Sequence, residues 1–148
     1  MRFEKQAIVA APAAEVWDLL LDPQAMISCV PGVEKIEPQG ADVFLVTMAV
    51  KISFVAARFR VRTAIVEARR PCYLRSEGAG EDATLTSSLR LKSEVFLTEH
   101  AESSTEIRML LDVELLGRLG TFGLNVVKTK ADRMWEEFGR KLAAKVEA

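Results

Sequence analysis

The chain has 148 residues, 49% of them hydrophobic and 28% charged, which fits a single globular domain with a sizeable core and excludes a disordered chain. Its 20 basic and 21 acidic side chains leave a net charge of -1, which removes the electrostatic basis for binding nucleic acid. No apolar run is long enough to cross a bilayer, and Met1-Arg2-Phe3-Glu4-Lys5 lacks the apolar core of a signal peptide. The expectation is a cytoplasmic protein without a membrane span, its Cys29 and Cys72 reduced.

Arg2 to Ala10 carries Ile8 and Val9 and reads as a first strand, which stops at Ala11-Pro12. Proline suits a first helical turn, and Glu15 follows where a carboxylate favours the helix N-terminus. A helix is therefore expected through Val16, Trp17, Leu19, Leu20 and Leu21. Asp22-Pro23 breaks it, because the residue before a proline disfavours helical geometry. Gln24 to Cys29 fits a second short helix, closed by Pro31-Gly32, and the two helices make a V-shaped support.

From Val33 the hydrophobic period changes to two. Val33 to Pro38 and Val43 to Phe54 flank the turn Gln39-Gly40-Ala41-Asp42, and Phe44, Val46, Met48, Val50 and Ile52 share one face of the second strand. Phe59, Val61, Thr63 and Ile65 alternate with Arg58, Arg60 and Arg62 up to Arg70-Pro71. Tyr73 to Gly80 is a weaker strand. Leu85 to Leu97 alternates with Arg90, Lys92 and Glu94, and Ile107 to Val113 alternates with Arg108 and Asp112. The loop between these two strands holds Glu99-His100-Ala101-Glu102.

The last stretch, Gly117 to Val146, repeats Leu119, Val127, Ala131, Met134, Phe138 and Leu142 at helical spacing. Read as one amphipathic helix it would be roughly 40 Å long, with Gly117, Gly120 and Gly123 at its front, each interior Gly costing about 1 kcal/mol relative to Ala. The expected architecture is α+β: about seven antiparallel strands curved around one long terminal helix, with two short helices after the first strand. Such a helix cannot fill the whole concavity, so a cavity is expected between them. Its C-terminal half is expected against Trp17, Leu20 and Leu21, and its glycine-bearing end over the open sheet.

The expected cavity lining is Phe44, Met48, Val50, Phe59, Val61, Ile65, Leu89, Leu91, Met109 and Leu111 from the strands, with Leu119, Phe122, Gly123 and Val127 from the terminal stretch. The same residues would serve a close-packed core. Thr63, Ser87 and Ser93 share that face and would either orient a ligand's polar end or bond to backbone. No catalytic constellation is visible. His100 reads as a solvated loop residue, Cys29 as core with no base beside it, and one His with two separated Cys makes no metal site. No cofactor is expected. The outward stripe of Arg58, Arg60, Arg62, Arg90 and Lys92 is a solvated face or a docking surface for acidic protein or anionic lipid.

The order of elements resembles the helix-grip fold of the START and polyketide cyclase-like (SRPBCC) superfamily, as a single domain over 1–148. Narrower motifs, Ala11-Pro12-Ala13-Ala14-Glu15-Val16-Trp17, Asp22-Pro23, Cys29-Val30-Pro31-Gly32 and Thr47-Met48-Ala49-Val50-Lys51-Ile52, resemble the CoxG family of carbon monoxide dehydrogenase subunits. Tyr73 to Gly80 and Gly117-Arg118-Leu119-Gly120 fit the same pattern. Two departures stand out: Ser53 where the family usually has Gly, and Asp82-Ala83-Thr84-Leu85-Thr86 in place of a glycine-rich segment. Many members also carry a membrane-contacting C-terminal extension, whereas this sequence ends at Ala148, so the resemblance implies the fold and pocket more firmly than tethering.

The resemblance implies a non-catalytic accessory protein that binds a lipid or isoprenoid quinone. It would assist a molybdenum hydroxylase in maturation, membrane recruitment or electron delivery, in the cytoplasm or peripherally at the inner membrane face. The alternative is a cyclase or hydrolase acting on a small molecule in the same apolar cavity.

Overall fold

The computed structural model describes residues 1–82 and 86–147. Period-two segments become β1 (Arg2–Val9), β2 (Val33–Pro38), β3 (Val43–Ile52), β4 (Val55–Arg69), β5 (Tyr73–Asp82), β6 (Ser87–Ala101) and β7 (Ser104–Gly117). These form one seven-stranded antiparallel sheet in the order β1-β7-β6-β5-β4-β3-β2. The expected start of the sixth strand at Leu85, like most of the Asp82–Thr86 departure, lies outside the described residues. Strands β2 to β7 follow one another as a meander, but β1 pairs with β7 at the opposite edge from β2. The chain must therefore cross the sheet once, and α1 (Ala13–Leu20) and α2 (Pro23–Cys29) make that crossing.

Both short helices are held by their ends. Pro12 stands at the N-cap of α1 without a capping side chain. Instead Glu99 of β6 accepts the Ala13 N–H at 2.8 Å, and the buried Thr105 hydroxyl donates to the Ala11 carbonyl at 2.7 Å. Asp22 caps α2, accepting from the Gln24 N–H at 3.0 Å with Pro23 in the first helical position. At the far end of α2, Gly32 turns into β2 with φ +84°, and a Cβ there would stand 2.3 Å from the Ala49 carbonyl oxygen. The Cys-x-Pro-Gly motif thus places Cys29 in the core and a glycine where only glycine fits.

The terminal helix begins later than its hydrophobic period predicts. Gly117, with φ +74°, ends β7, Arg118–Thr121 form a 3-10 turn, and α3 runs from Leu124 to Val146 with Gly123 as N-cap. Its 23 residues give about 35 Å rather than 40 Å. Leu119 kept the helical spacing because it is fully buried, but it is buried from the 3-10 turn. The glycines therefore lie before the helix and not inside it. Gly120 serves a close contact, since its Cβ would lie 2.6 Å from the Leu115 carbonyl oxygen, whereas nothing stands within 4 Å of a Cβ at Gly123.

The apolar face closes in two clusters. Val9, Val16, Trp17, Cys29, Leu97, Ile107 and Leu142 form one, with Leu20, Leu21, Trp135 and Phe138 packed on it, as expected for the C-terminal half of α3. Complete burial of a residue such as Leu142 contributes about 1.5–3 kcal/mol. Ala57, Phe59, Val61, Leu89 and Leu119 form the other, joined by Leu91, Val113, Leu115 and Phe122. Trp135 anchors α3 along the β1 edge by donating its indole N–H to the Gln6 carbonyl at 2.9 Å. His100 sits near the end of β6 and not in a loop, at the irregularity between the paired Glu99 and Ala101, with its ring nitrogen 2.9 Å from Glu106 across the hairpin.

Candidate ligand-binding cavity

The two clusters leave an apolar cavity of about 160 Å³ between the α1–α2 elbow and the sheet. Leu20, Leu21, Asp22, Pro23 and Met26 form its roof, and Ile36, Phe44, Val46, Thr63, Ile65, Leu74 and Ser76 its floor on β2 to β5. At the elbow, Asp22 caps α2 through one carboxylate oxygen. The floor is hollow because β5 presents small groups inward. Gly78 pairs with Thr63, and Ser76 pairs with Ser93, whose hydroxyl lies 2.7 Å from that of Ser76. The pocket is open to solvent, and its volume is below the roughly 300–1,000 Å³ of pockets enclosing drug-sized ligands. It suits a ring or the end of a longer molecule.

Of the residues expected to line a cavity, Phe44 and Ile65 stand at this one. Phe59, Val61, Leu89, Leu91, Leu119 and Phe122 are brought together instead in the second core cluster. Met48 and Val50 on β3, and Met109 and Leu111 on β7, are half-buried, while Val127 is buried on α3 and Gly123 is exposed. The polar candidates separate as well: Thr63 reaches the cavity, while the buried Ser87 hydroxyl accepts the Leu119 N–H at 3.3 Å. The roof residues were not anticipated. Their signal was the proline-broken helix pair itself, which carries the apolar residues Leu20, Leu21 and Met26.

Charged groups lie elsewhere. Lys5 points inward from β1, opposite Met109, and its side chain is only 13% exposed. It pairs with Asp132 of α3, which also holds Lys128 at 3.1 Å. Burial, and then Lys128, hold the Lys5 pKa below its ordinary 10.5, with Glu136 opposing. Tyr73 moves the other way, above 10.0, chiefly through its hydrogen bond to Glu94 at 2.6 Å. Neither residue borders the cavity. A wide open groove of about 1010 Å³ runs over the outer sheet face, lined by Lys35, Arg58, Arg60 and Arg90 together with Glu37 and Glu81. Its mixed signs, with Arg58 held by Glu34 at 2.9 Å, make it a solvated face with little net potential. Among the described residues, no group of His, Cys, Asp and Glu is arranged to hold a metal ion, and no helix is long and apolar enough to cross a membrane.

A long helix lying across a curved seven-stranded antiparallel sheet, with two short helices after the first strand, is the START-like helix-grip fold. A conserved protein from Geobacillus kaustophilus shares it with a TM-score of 0.91 at 17% identity, over 99% of this chain and 95% of that one. A START superfamily protein from Mycobacterium smegmatis follows at 0.77 and 18%, over 99% and 97%. An aromatase/cyclase from Streptomyces matches at 0.73 and 17%, over 99% and 93%. No curated protein matches the sequence. The family model for the carbon monoxide dehydrogenase subunit CoxG matches residues 6–147, and the chain belongs to that family.

Proposed function

We propose that this protein is a non-catalytic carrier that takes an apolar small molecule, a lipid or an isoprenoid quinone, into the cavity beneath the α1–α2 elbow. The observation that carries the reading is the cavity itself: its walls are almost entirely apolar, and its one ionisable lining residue, Asp22, is engaged in capping α2. Phe44 and Ile65 contact the ligand, whereas the second core cluster serves packing. At about 160 Å³ the cavity receives the end of such a molecule, and the remainder extends past Met26 and Ile36. Membership of the CoxG family supports a role beside a molybdenum hydroxylase, in maturation, membrane recruitment or electron delivery, at the cytoplasmic face of the membrane.

The alternative, a cyclase or hydrolase using the same cavity, draws on the aromatase/cyclase that shares the fold. It requires a proton donor or acceptor at the substrate, and the lining offers hydroxyls and a single carboxylate, that of Asp22, whose Oδ1 accepts the Gln24 N–H. Native mass spectrometry of the purified protein, followed by solvent extraction, tests the carrier reading. A co-purifying apolar molecule is expected; an empty protein that also takes up no added quinone or lipid would refute it.

A further inference from the structure

Every polar group in the cavity is an uncharged hydroxyl or belongs to the Asp22 cap. Thr63 and Ser76 stand on neighbouring strands, one register step apart on the inner face, because Thr63 pairs with Gly78 and Ile65 pairs with Ser76. The Thr63 hydroxyl has no hydrogen-bond partner among the described residues, yet no enclosed side-chain oxygen is left unpaired there. It is therefore open to the cavity. Gly78 keeps it open: a Cβ at that position would stand 3.3 Å from Thr63 Oγ1 and cover it. Ser76 and Ser93 share one hydrogen bond at 2.7 Å, which uses one of their two protons and leaves the other to donate elsewhere.

We propose that Thr63 and the Ser76–Ser93 pair are the polar anchor of the cavity, selecting a neutral ligand whose buried end carries one carbonyl or hydroxyl oxygen. The proposal rests on the carrier reading and narrows its ligand class. Two hydroxyl donors can meet the lone pairs of one carbonyl oxygen, or exchange bonds with one hydroxyl. They cannot neutralise a carboxylate or a phosphate. No lysine, arginine or histidine lines the cavity, and the carboxylate of Asp22 stands at its roof, so an anion held there would have no cationic partner and a like charge beside it. A fatty acid or an acidic phospholipid is thus a poor fit at this end, and a ketone, quinone or alcohol a good one. A bare hydrocarbon would leave the hydroxyls without the partner they are placed to meet.

The test uses three probes of similar shape, cyclohexanone, methylcyclohexane and cyclohexanecarboxylate, titrated by NMR into the full chain and into Thr63→Val and Ser76→Ala. Thr63→Val keeps the shape of the side chain on a strand and removes only the hydroxyl. It is expected to weaken cyclohexanone about fivefold to tenfold, the loss of one hydrogen bond, and to leave methylcyclohexane unchanged or tighter. Ser76→Ala should act in the same direction, and the carboxylate should bind none of the proteins. Equal effects of Thr63→Val on ketone and hydrocarbon, or carboxylate binding as tight as that of the ketone, would overturn the anchor while leaving a carrier in place. If neither neutral probe binds the unaltered protein, the anchor falls, whereas the carrier reading falls only if the protein also takes up no added quinone or lipid. Melting temperatures of the two variants within about 3 °C of the parent show that a lost ligand is not a lost fold.

Discussion

The β3–β4 hairpin turns on two residues, Ser53 and Phe54, between the paired Ile52 and Val55. Ser53 has φ +56°, while Phe54 is not among the residues of positive φ, a pattern that favours glycine at the first position of the turn. A side chain in the left-handed region costs about 1–2 kcal/mol, and replacing it with glycine gives back about 0.4–1 kcal/mol of that gain through the freer unfolded chain. Ser53 is exposed, so no packing is lost. Ser53→Gly should therefore stabilise the protein by about 0.5–1 kcal/mol. A chain of 148 residues unfolds with an entropy of about 0.3 kcal/mol/K, so the melting temperature should rise by about 2–3 °C. Gly32→Ala is the opposite case: φ is +84° and the added methyl would stand 2.3 Å from the Ala49 carbonyl oxygen. Strain and overpacking together should cost about 3 kcal/mol, or roughly 10 °C. Thermal unfolding followed by circular dichroism measures both. A fall in melting temperature for Ser53→Gly, or no fall for Gly32→Ala, would refute the assignment of these turns to backbone handedness.

Gly123→Asp should raise the melting temperature by about 1–3 °C, because Gly123 is the uncapped N-cap of α3 in extended geometry with open space around it. Gly120→Ala should lower it by at least as much through its contact with the Leu115 carbonyl, and neither change should alter binding of a cavity probe; altered binding would move the cavity mouth to this end. Lys5 gives a pH dependence with a definite sign. Its folded pKa lies below 10.5, so between the two values the unfolded chain holds more protons and the stability term from Lys5 rises with pH. Lys5→Met removes that term, and Asp132 keeps Lys128. The parent should gain more, or lose less, melting temperature than the variant as the pH rises towards 10.5, with the opposite contribution of Tyr73 common to both. Identical pH profiles would show that Lys5 titrates as an exposed lysine does.

The local periodicities of the sequence were sufficient for the architecture. Alternation along Phe44 to Ile52 and Phe59 to Ile65, the proline at Pro23 and the spacing from Val127 to Leu142 each report a physical preference of a short segment, and these preferences agree with one another. They also placed Trp17, Leu20 and Leu21 against the end of α3, since an amphipathic helix must bury its stripe. The start of α3 was not legible, because Leu119 satisfies the same spacing from a 3-10 turn, and only the backbone reveals that Gly117 turns the chain first. Nor was the cavity. Apolar residues that line a void and apolar residues that fill a core carry the same sequence signal, so Phe44 and Phe59 look alike on one face of neighbouring strands. What separates them is where the α1–α2 elbow and the 3-10 turn come to rest. Leu119 and Phe122 seat against Phe59 and close the sheet there, while the capped elbow at Asp22 stands off the floor over Phe44 and Thr63. That difference is set by contacts between residues far apart in sequence, Ala13 with Glu99 and Ala11 with Thr105 among them, and only the assembled tertiary structure contains it.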